Sequence, residues 1–234
     1  MLEKAAILFS GGKDSIYSLQ AAQKYVPIDL IVSLTSTQGD TQFHAGPEVE
    51  KALRESQLQL LGIENETLIL SAGQGYLREF FLGLDEMLRS RGITHLVTGD
   101  LWHPYTSGIG DMLGAALDVT ILRPARDACP TRDASVSYMN KVIESGIQSV
   151  VASVRERDLP KTFVGRTIDK TFVAELESMN IDSAAEGGEY QSFVLSCPLM
   201  KGRIVIDEFD VAIVDGKNDK ERFEKMCVKR FHIE

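Results

Sequence analysis

The sequence is poor in cysteine. Its 234 residues contain three, Cys129, Cys197 and Cys227, and no two of them lie close together in the chain. A zinc ribbon or a redox dithiol motif requires cysteines at short, regular spacing, so the sequence excludes both kinds of site. A low content of scattered cysteines is typical of proteins in a reducing compartment. We therefore expect a cytoplasmic protein.

Long apolar runs are also absent. No stretch approaches the roughly 18 consecutive apolar residues that a membrane-spanning helix requires. The first apolar run, residues 5–9, lies too close to the first residue to leave room for a signal peptide. We therefore expect no association with a membrane.

Positive charge is in deficit. The chain has 25 lysines and arginines against 34 aspartates and glutamates, which gives a formal net charge of −9. Surfaces that bind nucleic acids carry an excess of positive charge, so we do not expect a nucleic acid partner. A local site for a phosphate group remains compatible with this charge, because salt at about 0.15 M screens exposed charges beyond about 8 Å.

Apolar runs of strand length alternate with segments of helical periodicity in the first half of the chain, which predicts a doubly wound parallel α/β sheet of Rossmann-like type. The rhythm breaks at Arg123–Pro130, where two prolines and three charged residues interrupt it. We therefore predict two domains, a nucleotide domain over residues 1–124 and a smaller C-terminal α+β domain over residues 125–234.

The motif with the clearest chemistry is Ser10-Gly11-Gly12-Lys13-Asp14-Ser15, which follows the apolar run Ala5–Phe9 and precedes a helical pattern. Two glycines allow a tight turn, and a helix that begins there directs free N–H groups and about half a positive charge at a ligand. Phosphate is the expected ligand. The spacing fits neither the Walker loop nor the dinucleotide fingerprint, and the motif closely resembles the PP-loop of ATP pyrophosphatases.

Charge arithmetic predicts that this loop needs a metal ion. A bound triphosphate brings about four negative charges, while Lys13 supplies one positive charge, the helix end about a half and Mg²⁺ two. Asp14 removes one positive charge and is the candidate metal ligand. We therefore expect ATP and Mg²⁺ as the cofactors.

Two further segments carry candidate site residues. Gly99-Asp100 directly follows a predicted buried strand, where an open α/β sheet presents its site. Ala185 to Val194 contains Glu186-Gly187-Gly188-Glu189, and glycine is unfavourable inside a helix or strand. We predict a rigid acidic loop there, although most such loops are simple solvated turns.

The chain as a whole resembles the diphthine–ammonia ligase family of ATP pyrophosphatases, whose nucleotide domain has the adenine nucleotide alpha hydrolase fold. The resemblance rests on these segments: Ser10–Ser15, Phe43-His44, Gly99-Asp100, Gly165-Arg166 with Ile168-Asp169, and Glu186–Tyr190 ending in Cys197-Pro198. It implies that nucleotide contacts come from Ser10–Ser15, His44, Gly99 and Asp100, and that Lys13, Asp14, Glu186 and Glu189 are catalytic. It also implies that Gly187, Gly188, Tyr190 and Ser192 contact the acceptor substrate.

The resemblance implies amide formation. The carboxylate of diphthine, a modified histidine on a translation elongation factor, would be adenylated by ATP with release of pyrophosphate, and ammonia would then displace AMP. The expected partners are ATP, ammonium as the nitrogen source and the elongation factor, with a homodimer as an option for assembly.

The sequence departs from the family pattern on the acceptor side. Residues 101–117 contain no arginine, Arg123–Asp127 stands where Pro-Leu-Trp is typical, and Ala185 occupies a position that is often cysteine. These departures leave three alternatives open: an amide ligase for a small carboxylic acid, a sulfur transferase that acts on tRNA, and a nucleotide-binding protein without turnover. Separated cysteines and the negative net charge argue against the second alternative, and the retained Lys13 and Asp14 argue against the third.

Overall fold

The computed structural model describes residues 3–36, 47–71, 76–215 and 221–234. The chain folds into two compact units. The first comprises residues 1–10, 14–40 and 63–131, and the second comprises residues 11–13, 41–62 and 132–234. Three loop residues and the helix after residue 46 therefore group with the C-terminal half. The predicted assignment of functions to residues 1–124 and 125–234 stays a prediction.

The sheet of the first unit has five parallel strands in the order β3-β2-β1-β4-β5. The strands are β1 (Ala5–Phe9), β2 (Ile28–Ser36), β3 (Asn65–Leu70), β4 (His95–Val97) and β5 (Thr120–Leu122). Strand order reverses direction between β1 and β4, and parallel α/β sheets bind ligands beyond the carboxyl ends of their strands at this switch point. The predicted doubly wound parallel sheet is confirmed.

Helices connect these strands: α1 (Lys13–Ala22), α2 (Pro47–Leu61), α3 (Tyr76–Arg91), α4 (Pro104–Ala116) and the short α5 (Pro124–Ala128). Phe80, Leu84 and Leu88 recur every four residues along α3, so they share the face that is buried in the core. Each such side chain contributes about 1.5–3 kcal/mol by leaving water. The same core contains the following residues: Ala6, Leu30, Val32, Leu70, Ile93, Leu96, Leu113 and Leu117.

The second unit contains an antiparallel sheet in the order β7-β6-β9-β8. Its strands are β6 (Gln148–Arg155), β7 (Tyr190–Ser196), β8 (Ile204–Asp215) and β9 (Arg222–Ile233), accompanied by α6 (Ser135–Glu144) and α7 (Lys170–Ser178). Asp169 caps α7 by accepting a 2.8 Å hydrogen bond from the N–H of Phe172. The C-terminal part is therefore α+β, as expected, and the predicted acidic loop gives way to a strand at Tyr190.

None of the helices in the described ranges is both long enough and apolar enough to cross a membrane.

Candidate active site

The turn after β1 is fixed by its second residue, Gly11. Gly11 has φ +77°, in the left-handed region that favours glycine. Its carbonyl oxygen accepts a 3.0 Å hydrogen bond from Gln57 Nε2 and a 3.1 Å bond from the N–H of Val194. A Cβ on Gly11 would lie 2.4 Å from Gln57 Oε1. Both backbone geometry and packing therefore require glycine at this position.

Lys13, the first residue of α1, is 3% exposed. Its Nζ donates a 2.7 Å hydrogen bond to the carbonyl oxygen of Ala184 and lies 5.3 Å from the ring centroid of Tyr190. Its backbone N–H donates to Ser192 Oγ at 3.1 Å. These partners belong, like Lys13, to the second unit. The structure thus brings the PP-loop lysine together with the predicted acceptor segment.

Ser10, Asp14 and Ser15 belong to the first unit, whereas Gly12 groups with Gly11 and Lys13 in the second. Ser10 Oγ donates to Ser15 Oγ at 3.3 Å, and the half-buried Asp14 lies in the first turn of α1. A Cβ on Gly99 would lie 2.9 Å from the backbone N of Ser15 and 3.1 Å from the carbonyl carbon of Asp14. A side chain at position 99 would collide with the backbone of the first turn of α1. Glycine is therefore required there.

Asp100 is paired with an arginine. Its side chain is 10% exposed, and Oδ2 accepts a 3.0 Å hydrogen bond from Arg123 Nε and a second bond from Arg123 Nη2. Thr98 Oγ1 donates to the other carboxylate oxygen. Arg123 is 14% exposed and also pairs with Asp111 on α4. A nucleotide contact by Asp100 stays a prediction, and its carboxylate has a structural partner here.

The acidic glycine loop, residues 182–190, is organised by Asp182. This buried carboxylate accepts hydrogen bonds from the N–H of Ala184 at 3.1 Å and from the N–H of Glu186 at 3.0 Å. Ala185 adopts φ +58°, which costs an L-residue roughly 1–2 kcal/mol. Gly188 follows at φ +82° and donates its N–H to the carbonyl of Ala185 at 3.0 Å. The prediction of a rigid acidic loop is consistent with this network.

Glu189 is the unusual titratable group of this loop. Burial raises the pKa of its carboxyl group, the hydrogen bond to its own backbone lowers that pKa, and the charge of Asp182 raises it further. Glu189 Oε2 is buried without a hydrogen-bond partner among the described residues. The carboxylate folds over Gly187, where a Cβ would lie 2.6 Å from Glu189 Oε1. A raised pKa makes this carboxylate a stronger base than an ordinary glutamate.

Tyr190 and Ser192 open β7 and are both buried. The Tyr190 hydroxyl donates a 2.7 Å hydrogen bond to the carbonyl of Ser183, and its ring meets Phe172 edge to face at 5.3 Å between centroids. Ser192 Oγ is the acceptor for the N–H of Lys13. Tyr190 thus contacts the acidic glycine loop, and Ser192 contacts the PP-loop. Contacts of either residue with an acceptor substrate stay predictions.

The Gly165-Arg166 segment of the predicted motif set packs against aromatic residues of the second unit. His44 lies outside the described residues. Gly165 has φ +84°, and a Cβ there would lie 2.4 Å from Phe209 Cζ. The Arg166 guanidinium lies 4.4 Å from the centroid of Phe163 and pairs with Glu175 at 2.7 Å. The Gly165-Arg166 motif therefore has a packing role in the second unit.

Sequence reasoning missed two residues of the site, Gln57 and Asp182. Gln57 carried no signal, since it is a polar residue within an amphipathic helix pattern. Asp182 could have been noticed as an aspartate just before a glycine loop, where its side chain can bond backbone N–H groups two to four residues ahead. Ser33, near the end of the second apolar run, is already a candidate nucleotide contact from the sequence. Ser33 lies in register beside Phe9 on β2, is 2% exposed, and its Oγ has no hydrogen-bond partner in the described part of the chain.

The described residues contain no group of three or more histidine, cysteine, aspartate or glutamate side chains that could hold a metal ion by themselves. Mg²⁺ in nucleotide sites is commonly held by one or two carboxylates together with the substrate phosphates. A single carboxylate such as Asp14 fits that mode.

Family models match both halves of the chain. A model described as diphthamide synthase N-terminal domain matches residues 3–109, and one described as diphthamide synthase C-terminal domain matches residues 134–226. The chain belongs to the diphthamide synthase family. Membership explains why the PP-loop motif and the acidic glycine loop occur in one chain, because each lies within one of the two matched regions.

Individual relatives of the diphthamide synthase family match over shorter stretches. A diphthine–ammonia ligase of Homo sapiens is 34% identical over 103 residues, which are 41% of this chain and 37% of the human protein. A diphthine–ammonia ligase of Bos taurus is 32% identical over 77 residues, 31% of this chain and 29% of the bovine protein. The matched stretches thus span well under half of either relative.

Solved structures resemble this family member more remotely. A predicted subunit of tRNA methyltransferase from Methanocaldococcus jannaschii covers 84% of this chain and 98% of its own, with a TM-score of 0.40 and 15% identity. The U34-tRNA thiolase NcsA from Methanococcus maripaludis covers 61% of this chain and 56% of its own, with a TM-score of 0.35 and 17% identity. Similarity at this level carries no argument about function.

Proposed function

We propose that this diphthamide synthase family member is an ATP-dependent amide ligase that converts diphthine on a translation elongation factor to diphthamide. ATP and ammonium are the co-substrates, and AMP and pyrophosphate are the products. The observation that carries the proposal is that Lys13 of the PP-loop contacts Ala184 of the acidic glycine loop, and Ser192 on the strand after it, within one compact unit.

Three features support ATP binding after β1. The turn leads into a helix that begins at Lys13, and the positive end of a helix dipole favours a bound phosphate group. It follows the strand next to the switch point of the sheet. The buried hydroxyl of Ser33, unpaired among the described residues, lies on the neighbouring strand, and a polar ligand would satisfy it. We assign the β and γ phosphates to the backbone of Ser10–Ser15.

The first chemical step is attack by a carboxylate oxygen of diphthine on the α phosphorus of ATP. A new P–O bond forms, the bond to the β-phosphate bridge breaks, and pyrophosphate leaves. This step makes a good leaving group, because hydroxide or oxide leaves a carboxylate poorly whereas AMP leaves readily. Bound Mg²⁺, for which Asp14 is the candidate ligand, would neutralise the charge that develops on the phosphates.

The second step is attack by ammonia on the acyl carbon of the adenylate. The new C–N bond forms, nitrogen loses a proton and AMP leaves with the bonding electrons. A base must accept protons from ammonium, and the acidic loop supplies candidates in Glu186 and Glu189. Glu189 suits this role because its raised pKa lies closer to neutrality than that of an ordinary glutamate. Free ammonium is the proposed nitrogen source.

The proposal is tested by following pyrophosphate and AMP from the purified protein with ATP, Mg²⁺ and ammonium. Elongation factor that bears diphthine is compared with the same factor lacking the modification and with a panel of small carboxylic acids. Release of both products that requires the diphthine-bearing factor supports the proposal. Formation of ADP, release without any acid, or release with a small acid alone contradicts it.

A further inference from the structure

The Lys13 ammonium group points into the second unit and away from solvent. It is bonded to the Ala184 carbonyl at 2.7 Å, it lies over the ring of Tyr190, and the residue is 3% exposed. The adjoining backbone N–H is bonded to Ser192 Oγ. A lysine that served mainly to grip phosphate would place its ammonium where the anion can reach it, and this one is enclosed by protein.

We propose that Lys13 is a positioning residue that holds the acidic glycine loop, and that the PP-loop binds the ATP phosphates without its ammonium group. This inference rests on the proposed function, because the acidic loop acts there in the amination step. It revises the expected role of Lys13 as a neutraliser of the triphosphate. Backbone N–H groups, the helix end and Mg²⁺ then carry that neutralisation.

The loop needs such an anchor because its backbone is strained. Ala184, whose carbonyl receives the Lys13 hydrogen bond, directly precedes Ala185 at φ +58°. Strained backbone persists only where surrounding contacts over-determine it. Asp182 holds the loop through two N–H groups, and Lys13 holds the carbonyl between them. The position of Lys13 therefore determines the positions of Glu186 and Glu189.

A labelling experiment on the unaltered protein tests the buried position. Lysine amines are modified with a small acylating reagent, with and without a non-hydrolysable ATP analogue and Mg²⁺, and modified peptides are quantified by mass spectrometry. Lys51, whose side chain is 74% exposed, is the internal standard. We expect Lys13 to stay unmodified in both states while Lys51 reacts in both. Modification of Lys13 without nucleotide, whether or not the analogue protects it, would overturn the proposal.

A variant experiment tests the positioning role. Lys13→Met keeps most of the length of the side chain and removes its charge and donors, and Lys51→Met is the matched control. We expect analogue affinity in Lys13→Met to stay within about threefold of the parent, while kcat falls by about tenfold to a hundredfold, the range for losing a hydrogen bond to a charged group. Amide hydrogen exchange should quicken in residues 182–190.

The contrary pattern is a large loss of analogue affinity with unchanged exchange in the acidic loop, which would assign Lys13 to the phosphates. If Lys13→Met does not fold, the labelling result on the parent protein decides. Failure of the proposed function can be distinguished from failure of the positioning role of Lys13. A parent protein that binds no ATP analogue would contradict the proposed function, whatever the labelling of Lys13.

Discussion

Gln57 on α2 donates a 3.0 Å hydrogen bond from Nε2 to the carbonyl oxygen of Gly11 in the PP-loop. The same nitrogen donates to the carbonyl of Val194 on β7 at 2.8 Å. Gln57 is fully buried. One amide group therefore ties the turn after β1 to the strand that continues from the acidic glycine loop, all within the second compact unit. The orientation of Gly11 depends on a residue 46 positions away.

Gln57→Leu should weaken ATP binding. The change leaves the Val194 carbonyl without this donor and the Gly11 carbonyl with one partner fewer, at a cost of about 1–3 kcal/mol in the free energy of unfolding. Gln59→Leu, an exposed position on the same helix, is the control. Calorimetric titration with an ATP analogue measures affinity, and thermal unfolding measures stability. Equal affinity of the two variants for the ATP analogue would show that Gln57 does not position the PP-loop for nucleotide binding.

Gly99→Ala should disrupt the beginning of α1. The new Cβ would meet the backbone of Asp14 and Ser15, which cannot move aside as a flexible side chain can. We expect a loss of ATP affinity larger than about tenfold. Gly108→Ala is the control, because no described residue lies within 4 Å of the position of its Cβ and alanine favours a helix. If Gly99→Ala binds the analogue as well as the control does, the packing of this turn does not matter for binding.

The pair Asp100–Arg123 should be a stability determinant of the first unit. Both side chains are largely buried, and removal of one partner from such a pair typically costs about 3–5 kcal/mol. Arg123→Met should therefore lower the free energy of unfolding strongly. The double variant Asp100→Asn with Arg123→Met should lose less than the two single variants together. Additive losses in denaturant unfolding would show that the two residues act independently.

Glu189→Gln should change the pH dependence of stability. The pKa of Glu189 in the folded protein is raised above its ordinary value of 4.5, so the folded state holds this proton more firmly than the unfolded state does. The stabilising contribution is complete below that ordinary value and is lost as the pH rises through the folded pKa. The variant should therefore gain in Tm over the parent as the pH rises from about 4 to about 7.

The matched control is Glu177→Gln, an exposed glutamate on α7, which should leave that pH profile unchanged. ATP-analogue affinity should remain largely intact in Glu189→Gln, because the acidic loop is assigned to the amination step. A parallel Tm profile for parent and variant would mean that Glu189 is not held in a desolvated environment. Loss of nucleotide binding would show that Glu189 belongs to the ATP site.

The parallel sheet could be predicted because its signal is local. Ala5–Phe9 is almost entirely buried and reads as a continuous apolar run, and the helices between the strands carry 3.6-residue periodicity. The grouping of residues 11–13 and α2 with the C-terminal half could not be predicted in this way. It depends on interactions such as that of Gln57 with Val194, which join residues distant in sequence and leave no periodic pattern.

The candidate site was predictable to the extent that a motif constrains its own backbone. Glycines at positions 11, 99 and 188 could be selected because a turn or a close approach excludes side chains. The direction of the Lys13 side chain was not predictable, since the motif fixes its backbone and leaves four rotatable bonds. The role of Asp182 was not predictable from a motif, because its partners are backbone N–H groups, and these are present whatever the neighbouring residue types are.

In the proposed reaction a carboxylate oxygen of the acceptor attacks the α phosphorus of ATP, and transfer of that oxygen to AMP can be followed with an isotope. Elongation factor carrying diphthine labelled with oxygen-18 in its carboxylate is incubated with the protein, ATP, Mg²⁺ and ammonium, and the nucleotide product is analysed by mass spectrometry. An acyl-adenylate route predicts AMP that carries one oxygen-18 atom from the carboxylate. Unlabelled AMP, or ADP with the label in inorganic phosphate, would contradict it.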